Sequence, residues 1–469
     1  MTTTDFKTQL HRLIRLQRAA YLKEGVPDAP TRRDRLTRAA TMLARASDAI
    51  AVAVSEDFGH RSAEETRFEI VGAVNAFRNA ATRVENWMQP ERHPALAPDA
   101  EARVEYIPLG VIGVVGPWNY PIMCVFGPLA GILAAGNRAI IKPSEYTPRT
   151  FALLARLIAE TFDPSEVAIV QGEAAEGAVF SAASFDHLMF TGSTSVGRHV
   201  MRAAADNLTP VTLELGGKSP VIVRDTYDLA EAAQRVMAVK LRSAGQICLA
   251  PDYALVPAGS EREFAQQCIA AARRMYPDGL DSVDYTSIIN EGHFARLERL
   301  VADADAGGAE VLNVFELARP VSARRMMPIL ILNPHRDTAV MRDEIFGPVL
   351  PILGYHSIDD ALETIRSGSR PLALYYFGAD DERARQVLDG TVSGGVTIND
   401  VMTHMFVEDM PFGGIGASGM GNYRGEAGFR TFSHARAIYR QSEAKEAVVF
   451  LHPPYGDPFR RFLSASIAG

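Results

Sequence analysis

Apolar and polar positions repeat along this chain on two different periods, and the change from one to the other divides it. Through residues 1–90, Leu, Ile, Val and Ala recur at helical spacing among Arg and Glu, most regularly over 33–54 and 63–87. That predicts a helical opening whose first segment, 1–24, is amphipathic. Prolines at 90, 94 and 98 then break the pattern, and EARVEY (101–106) alternates as an exposed strand does. From Pro108 onward, short apolar runs alternate with helical stretches such as 148–162. The runs are VIGVV (111–115), AII (139–141), VAIV (167–170), HLMF (187–190), VTLEL (211–215) and PVIV (220–223). This is the signature of parallel α/β layers. A second winding is expected beyond them: a helix over 228–242, a strand over 252–257, a helix over 260–274, and strands near 329–332, 349–353, 372–377 and 395–399. The expected fold class is therefore α/β, with two lobes and a small accessory element.

Composition narrows the function without naming it. A chain of 469 residues, 47% hydrophobic and 22% charged, has ample core and needs no disulfide or metal staples. Its net charge of -8 argues against nucleic acid or an anionic membrane as principal partner. No apolar run reaches the roughly 18 residues of a membrane span, and the N-terminus has no secretory h-region, so the cytoplasm is the expected compartment. Three cysteines without CxxC pairing, Cys124, Cys248 and Cys268, fit reduced thiols. With neither HExxH nor a Cys/His cluster, no metal site is expected.

Several segments carry possible chemistry. A literal GxGxxG at 414–419 follows no predicted strand, so it is read as a structural loop rather than a phosphate loop. FTGSTSVG (190–197) is better placed, between a strand and a helix. There Gly192 permits close backbone approach and Ser193 could hydrogen-bond a phosphate oxygen, although an ordinary Ser-capped turn reads the same way. Lys142 ends a strand with Glu145 three residues on, a pair able to grip ribose hydroxyls or simply to be solvated. Glu214 ends another strand, and two glycines follow after Leu215. A carboxyl in such a dry place can act as a general base; the alternative is a salt-bridged surface Glu. Cys248 lies in a Gly-containing loop, where a free thiol becomes a nucleophile only if the site supplies a favourable field. Cys124 and Cys268, in apolar helical stretches, are read as small buried hydrophobes. Asn119, held between Pro117 and Pro121, is a rigid amide of the kind an oxyanion hole uses, or a plain turn residue.

Taken together, PWNYP (117–121), IKPSE (141–145), FTGST (190–194), LELGGKSP (213–220), GQIC (245–248) and EIFGP (344–348) resemble the aldehyde dehydrogenase superfamily in order and spacing. CLAPDY (248–253) and the segment 404–429 resemble more narrowly its class 3 and coniferyl aldehyde dehydrogenases. The resemblance implies a Rossmann-like cofactor domain (1–90 and 107–215), a catalytic domain (216–410), an oligomerisation β-element (91–106 and 430–445) and a C-terminal tail (446–469). It implies Cys248 as the catalytic thiol, Glu214 as the base, and Asn119 with the Cys248 amide as the oxyanion hole. NAD, with NADP as a possibility, would be held by Trp118, Lys142, Glu145, Gly192, Ser193, Glu344 and Phe346. Tyr120, Met123 and His404 are expected at a substrate pocket suited to aryl or medium-chain aldehydes, and a homodimer is the expected assembly. The rivals are a CoA-acylating relative, which would lack the base, and a non-catalytic member, which would lack thiol or base.

Overall fold

The structure, a computed structural model, describes residues 2–97, 99–316, 324–444 and 451–468. Pro98, and residues 445–450 and 469 of the segments expected as β-element and tail, lie outside the described residues. Four helices open the chain: Thr3–Glu24, Ala29–Arg45, Ser47–Phe58 and Ala63–Trp87. The periodic stretch 33–54 divides at Ala46, which closes one helix and starts the next. Asp28 and Ser62 cap their helices with side-chain oxygens on backbone N–H groups, satisfying donors that a helix start leaves free.

Three sheets follow. The first has six strands in the order Gly419–Met420, Val211–Glu214, His187–Thr191, Val111–Val115, Arg138–Lys142 and Val167–Ile169. It is parallel except for the two-residue edge strand. Its central strands are buried on both faces, as unbroken Val, Ile and Leu runs require. The second has seven strands in the order Glu310–Asn313, Ile329–Leu332, Val349–Tyr355, Tyr253–Pro257, Pro220–Val223, Ala373–Phe377 and Gly395–Ile398. Only its first pair is antiparallel. The third is a small antiparallel sheet of Glu91–His93, Glu101–Pro108 and Ser433–Arg440.

Because the strands of the first sheet run parallel, the loops after residues 115, 142, 191 and 214 all leave the same, carboxyl edge, where open α/β sheets bind ligands. The glycine-rich stretch 414–419 sits elsewhere in the logic of the fold. Its last residue pairs with Glu214, and a Cβ on Gly414 would stand 2.0 Å from the Ser418 carbonyl oxygen. Those glycines let a tight turn pack on a strand end. Among the described residues no helix is long and apolar enough to cross a membrane.

Candidate active site

Two cavities meet at Cys248. One, of about 390 Å³, is lined by Cys248, Asn119, Tyr120 and Met123 together with Phe68, Phe406, Phe412 and Tyr423. The other, of about 380 Å³, is lined by Cys248, Asn119, Trp118, Gly192, Ser193, Glu214, Glu344 and Phe346. Cys124 borders both. This corrects its reading as a mere hydrophobe, since the start of helix Met123–Ala134 faces the site. Cys268 is fully buried in the core.

The loop that presents the thiol is held from several sides. Ser243 and Ala244 adopt left-handed backbone angles (φ 48° and 50°), costly for residues with a Cβ. Glu65 fixes that turn: both its carboxylate oxygens accept from the Ser243 N–H at 3.1 Å, and one also accepts from Thr286 Oγ1. Gly245 follows at φ +72°, where a Cβ would meet the Gly347 carbonyl at 2.3 Å. Gln246 donates to the carbonyls of Ser243 and Ser287 and accepts from the Ile289 N–H. Tyr375 Oη donates to the Leu249 carbonyl at 2.6 Å.

Opposite stands the turn carrying Asn119. Asn119 Nδ2 donates to the Gln246 carbonyl at 3.0 Å, joining the turn to the thiol loop. Arg61 donates to the Asn119 carbonyl at 2.7 Å and pairs with Glu69 at 3.0 Å, both side chains fully buried. Glu69 in turn accepts from the N–H groups of Ile122 and Met123. Thus Arg61 and the helix Ala63–Trp87, through Glu65 and Glu69, fasten both halves of the site. None of the three stood out in the sequence.

The electrostatics run against a ready-made thiolate. Burial raises the Cys248 thiol well above its ordinary value, and Glu214, Cys124 and Glu344 push the same way. The favourable field that a nucleophilic thiol needs does not come from these neighbours, whose acids oppose the anion. Glu214 is itself raised well above the carboxylate range by burial, with Arg424 pulling partly back. Both Glu214 oxygens are buried without a hydrogen-bond partner in the protein. Burial lifts Glu344 to about 7, against the Gly217 N–H, Lys218 and Arg296.

A family model described as the aldehyde dehydrogenase family matches residues 7–438. The chain belongs to this family. It is 50% identical over 464 residues to a coniferyl aldehyde dehydrogenase of Pseudomonas sp. (strain HR199), covering 98% of this chain and 96% of that one. Among solved structures, the substrate-bound state of Staphylococcus aureus AldH superposes with a TM-score of 0.91 at 34% identity, over 98% of this chain and 99% of that one. Betaine aldehyde dehydrogenase of the same organism, solved with NAD+, superposes at 0.84 and 27% identity, over 94% and 91% of the two chains. The fold is the aldehyde dehydrogenase fold.

In this dehydrogenase Ser193 caps helix Thr194–Ala205, accepting from the Val196 N–H, while Gly192 lines the cavity at the helix start, where a Cβ would meet the Phe190 ring at 2.6 Å. Gly216 makes room for Glu344, whose carboxylate a Cβ would meet at 2.0 Å. The segment bearing Glu344 and Phe346 is fastened by Arg296, which donates to the carbonyls of Glu344 and Ile345, and by Asp252, which accepts from the Ile345 N–H. Trp118 meets Phe346 edge-on at 5.4 Å and His293 at 5.0 Å. Lys142 and Glu145 line neither cavity. Lys142 is buried at its strand end, 3.0 Å from the Pro143 carbonyl and 3.7 Å from Glu145. His404 also stands outside both linings: its Nδ1 bonds Thr397 Oγ1 at 2.7 Å and its ring stacks on Phe412, leaving Met405 and Phe406 to face the cavity.

Proposed function

We propose that this dehydrogenase oxidises an aldehyde to its carboxylic acid with NAD+, or NADP+, through a thioester on Cys248 that Glu214 helps to hydrolyse. One observation carries the reading: thiol, carboxyl and amide share a single cavity wall. The residues around that cavity fit a dinucleotide. A helix start with an open glycine at 192 suits a pyrophosphate, the buried carboxyl of Glu344 suits ribose hydroxyls, and Trp118 and Phe346 wall a flat ring. Lys142 and Glu145, at the carboxyl edge of the same sheet, suit the adenosine ribose. When bound, the dinucleotide would supply the acceptor for the hydride that leaves the substrate carbon.

The chain's own residues then act as follows. Cys248 gives up its proton to solvent water in the cavity, and Sγ adds to the carbonyl carbon. Asn119 uses one amide hydrogen on Gln246 and has a second for the developing alkoxide, which it shares with the Cys248 N–H. A donor of this kind contributes about 3–4 kcal/mol in the transition state. The unpartnered oxygens of Glu214 accept a proton from the water that attacks the thioester. The alternative acyl acceptor is CoA; a free, buried carboxyl beside the thiol favours water.

The related coniferyl aldehyde dehydrogenase and the aromatic cavity wall point to aryl aldehydes, with coniferyl aldehyde among them. A panel of aryl and aliphatic aldehydes, run with NAD+ and NADP+ in parallel and with or without CoA, tests this. Acid and reduced cofactor in equal amounts, independent of CoA, are expected. An acyl-CoA product would overturn hydrolysis, and no turnover of any aldehyde would overturn the reading. Assembly as a homodimer is part of the same proposal, through the outer edge of the exposed strand Ser433–Arg440, which pairs with no further strand among the described residues.

A further inference from the structure

Arg424 precedes helix Gly425–Thr431 and lines the cavity of about 390 Å³ that holds Cys248. Its side chain is 4% exposed, yet Nε and one terminal nitrogen have no hydrogen-bond partner. It forms only a long ion pair with Glu408, whose oxygen is 3.9 Å away, beyond hydrogen-bond reach. The guanidinium lies over the Phe412 ring, 5.6 Å from its centroid. Other charges in that wall are already engaged: Glu69 by Arg61, Glu65 by Ser243 and Thr286, and Arg242 over the ring of Phe68. A buried guanidinium with idle donors is costly unless something that enters the cavity satisfies it.

The rest of the wall indicates what enters. Phe68 and Phe406 meet edge-on at 5.5 Å and are nearly half exposed, at 48% and 45%. Phe412 and Tyr423 meet edge-on at 5.5 Å further in. Such walls accept a flat ring, and the volume suits a small aryl compound. We infer that Arg424 is a specificity-determining residue: its free N–H donors bind a phenolic or alkoxy oxygen carried on the ring of an aryl aldehyde, while Cys248 takes the carbonyl. The inference rests on the aldehyde-oxidising reading and deepens it to a substrate class. A site built to hydrogen-bond a substrate oxygen rejects the analogue lacking it, because the buried donors are left unpaired.

The test compares kcat/KM for 4-hydroxycinnamaldehyde and its near-isostere 4-methylcinnamaldehyde. The unaltered dehydrogenase is expected to favour the hydroxyl compound at least tenfold, mainly through KM. In Arg424→Gln the ratio should fall towards one, and Arg424→Lys should keep part of it. Equal values for the two aldehydes in the unaltered protein would overturn the inference, whatever the variants do. So would a uniform loss for both aldehydes in Arg424→Gln with an alkaline shift of the pH profile, which would assign the arginine to the ionisation of Glu214. A preference for an aliphatic ω-carboxy aldehyde over both would overturn the aryl assignment. Failure of the underlying reading looks different, since no aldehyde at all would then yield acid.

Discussion

At Cys248 two requirements compete: the sulfur must be reachable by a carbonyl carbon, and it must lose a proton that burial and two nearby carboxyls help it keep. Cys248→Ala is expected to abolish aldehyde oxidation while NAD+ still binds, measured by calorimetry; retained turnover would exclude the thiol. Glu214→Gln should leave acylation largely intact and slow hydrolysis, giving a burst of reduced cofactor and an acyl adduct visible by intact mass. Unchanged steady-state turnover in that variant would remove Glu214 from the reaction. Glu344 makes a separate prediction about stability. Folding lifts it from 4.5 to about 7. Between those values the folded chain keeps a proton that the unfolded chain has released, so this residue's contribution to stability is lost as pH rises across the window. Glu344→Gln carries no such proton, and its melting temperature should fall less than the parent's between pH 4.5 and 7.5.

The helix Ala63–Trp87 decides how well the site is held. Glu69→Ala would strand the Arg61 guanidinium in the core, at a cost of about 3–5 kcal/mol, measurable by denaturant unfolding. Replacing both partners by Met should recover much of that stability while kcat stays low, because the Asn119 turn has lost its anchor. Normal kcat in the double variant would show that the pair only stabilises. This helix also shows what the sequence discloses. Its apolar spacing predicts residues 63–87, the span observed, because amphipathicity is a local property. That Glu65 and Glu69 turn inward is not local. Ser243, held by Glu65, lies 178 residues away, and Ile122, held by Glu69, lies 53; although Arg61 is only 8 residues from Glu69, before folding both acids look like any on a solvated helix face. Cys124 is read as a buried hydrophobe for the complementary reason: an apolar helical run reads the same whether it faces a core or a cavity. The strand Gly419–Met420 has only two residues, too few for any period to register. Glu214, Cys248 and Asn119 were candidates because each lies within three residues of a glycine or proline at a strand or loop end, and the family resemblance set them apart from their structural readings.

On the scale of the whole molecule, the small antiparallel sheet is the part least provided for by its own chain. The strand Ser433–Arg440 is largely exposed, and its cross-strand pairs, Glu105 with Arg436 and Glu101 with Arg440, are surface ion pairs worth little each. Light scattering coupled to size exclusion is expected to give twice the chain mass at micromolar concentration; a monomer there would refute the homodimer. The two larger sheets, by contrast, bring their loops to a single point, where the sulfur of residue 248 forms part of the partition between two chambers. A reagent admitted to either chamber would reach the same atom, so a covalent inhibitor can approach from whichever side offers better selectivity, and, on the proposed function, one molecule bridging the partition would exclude aldehyde and dinucleotide together.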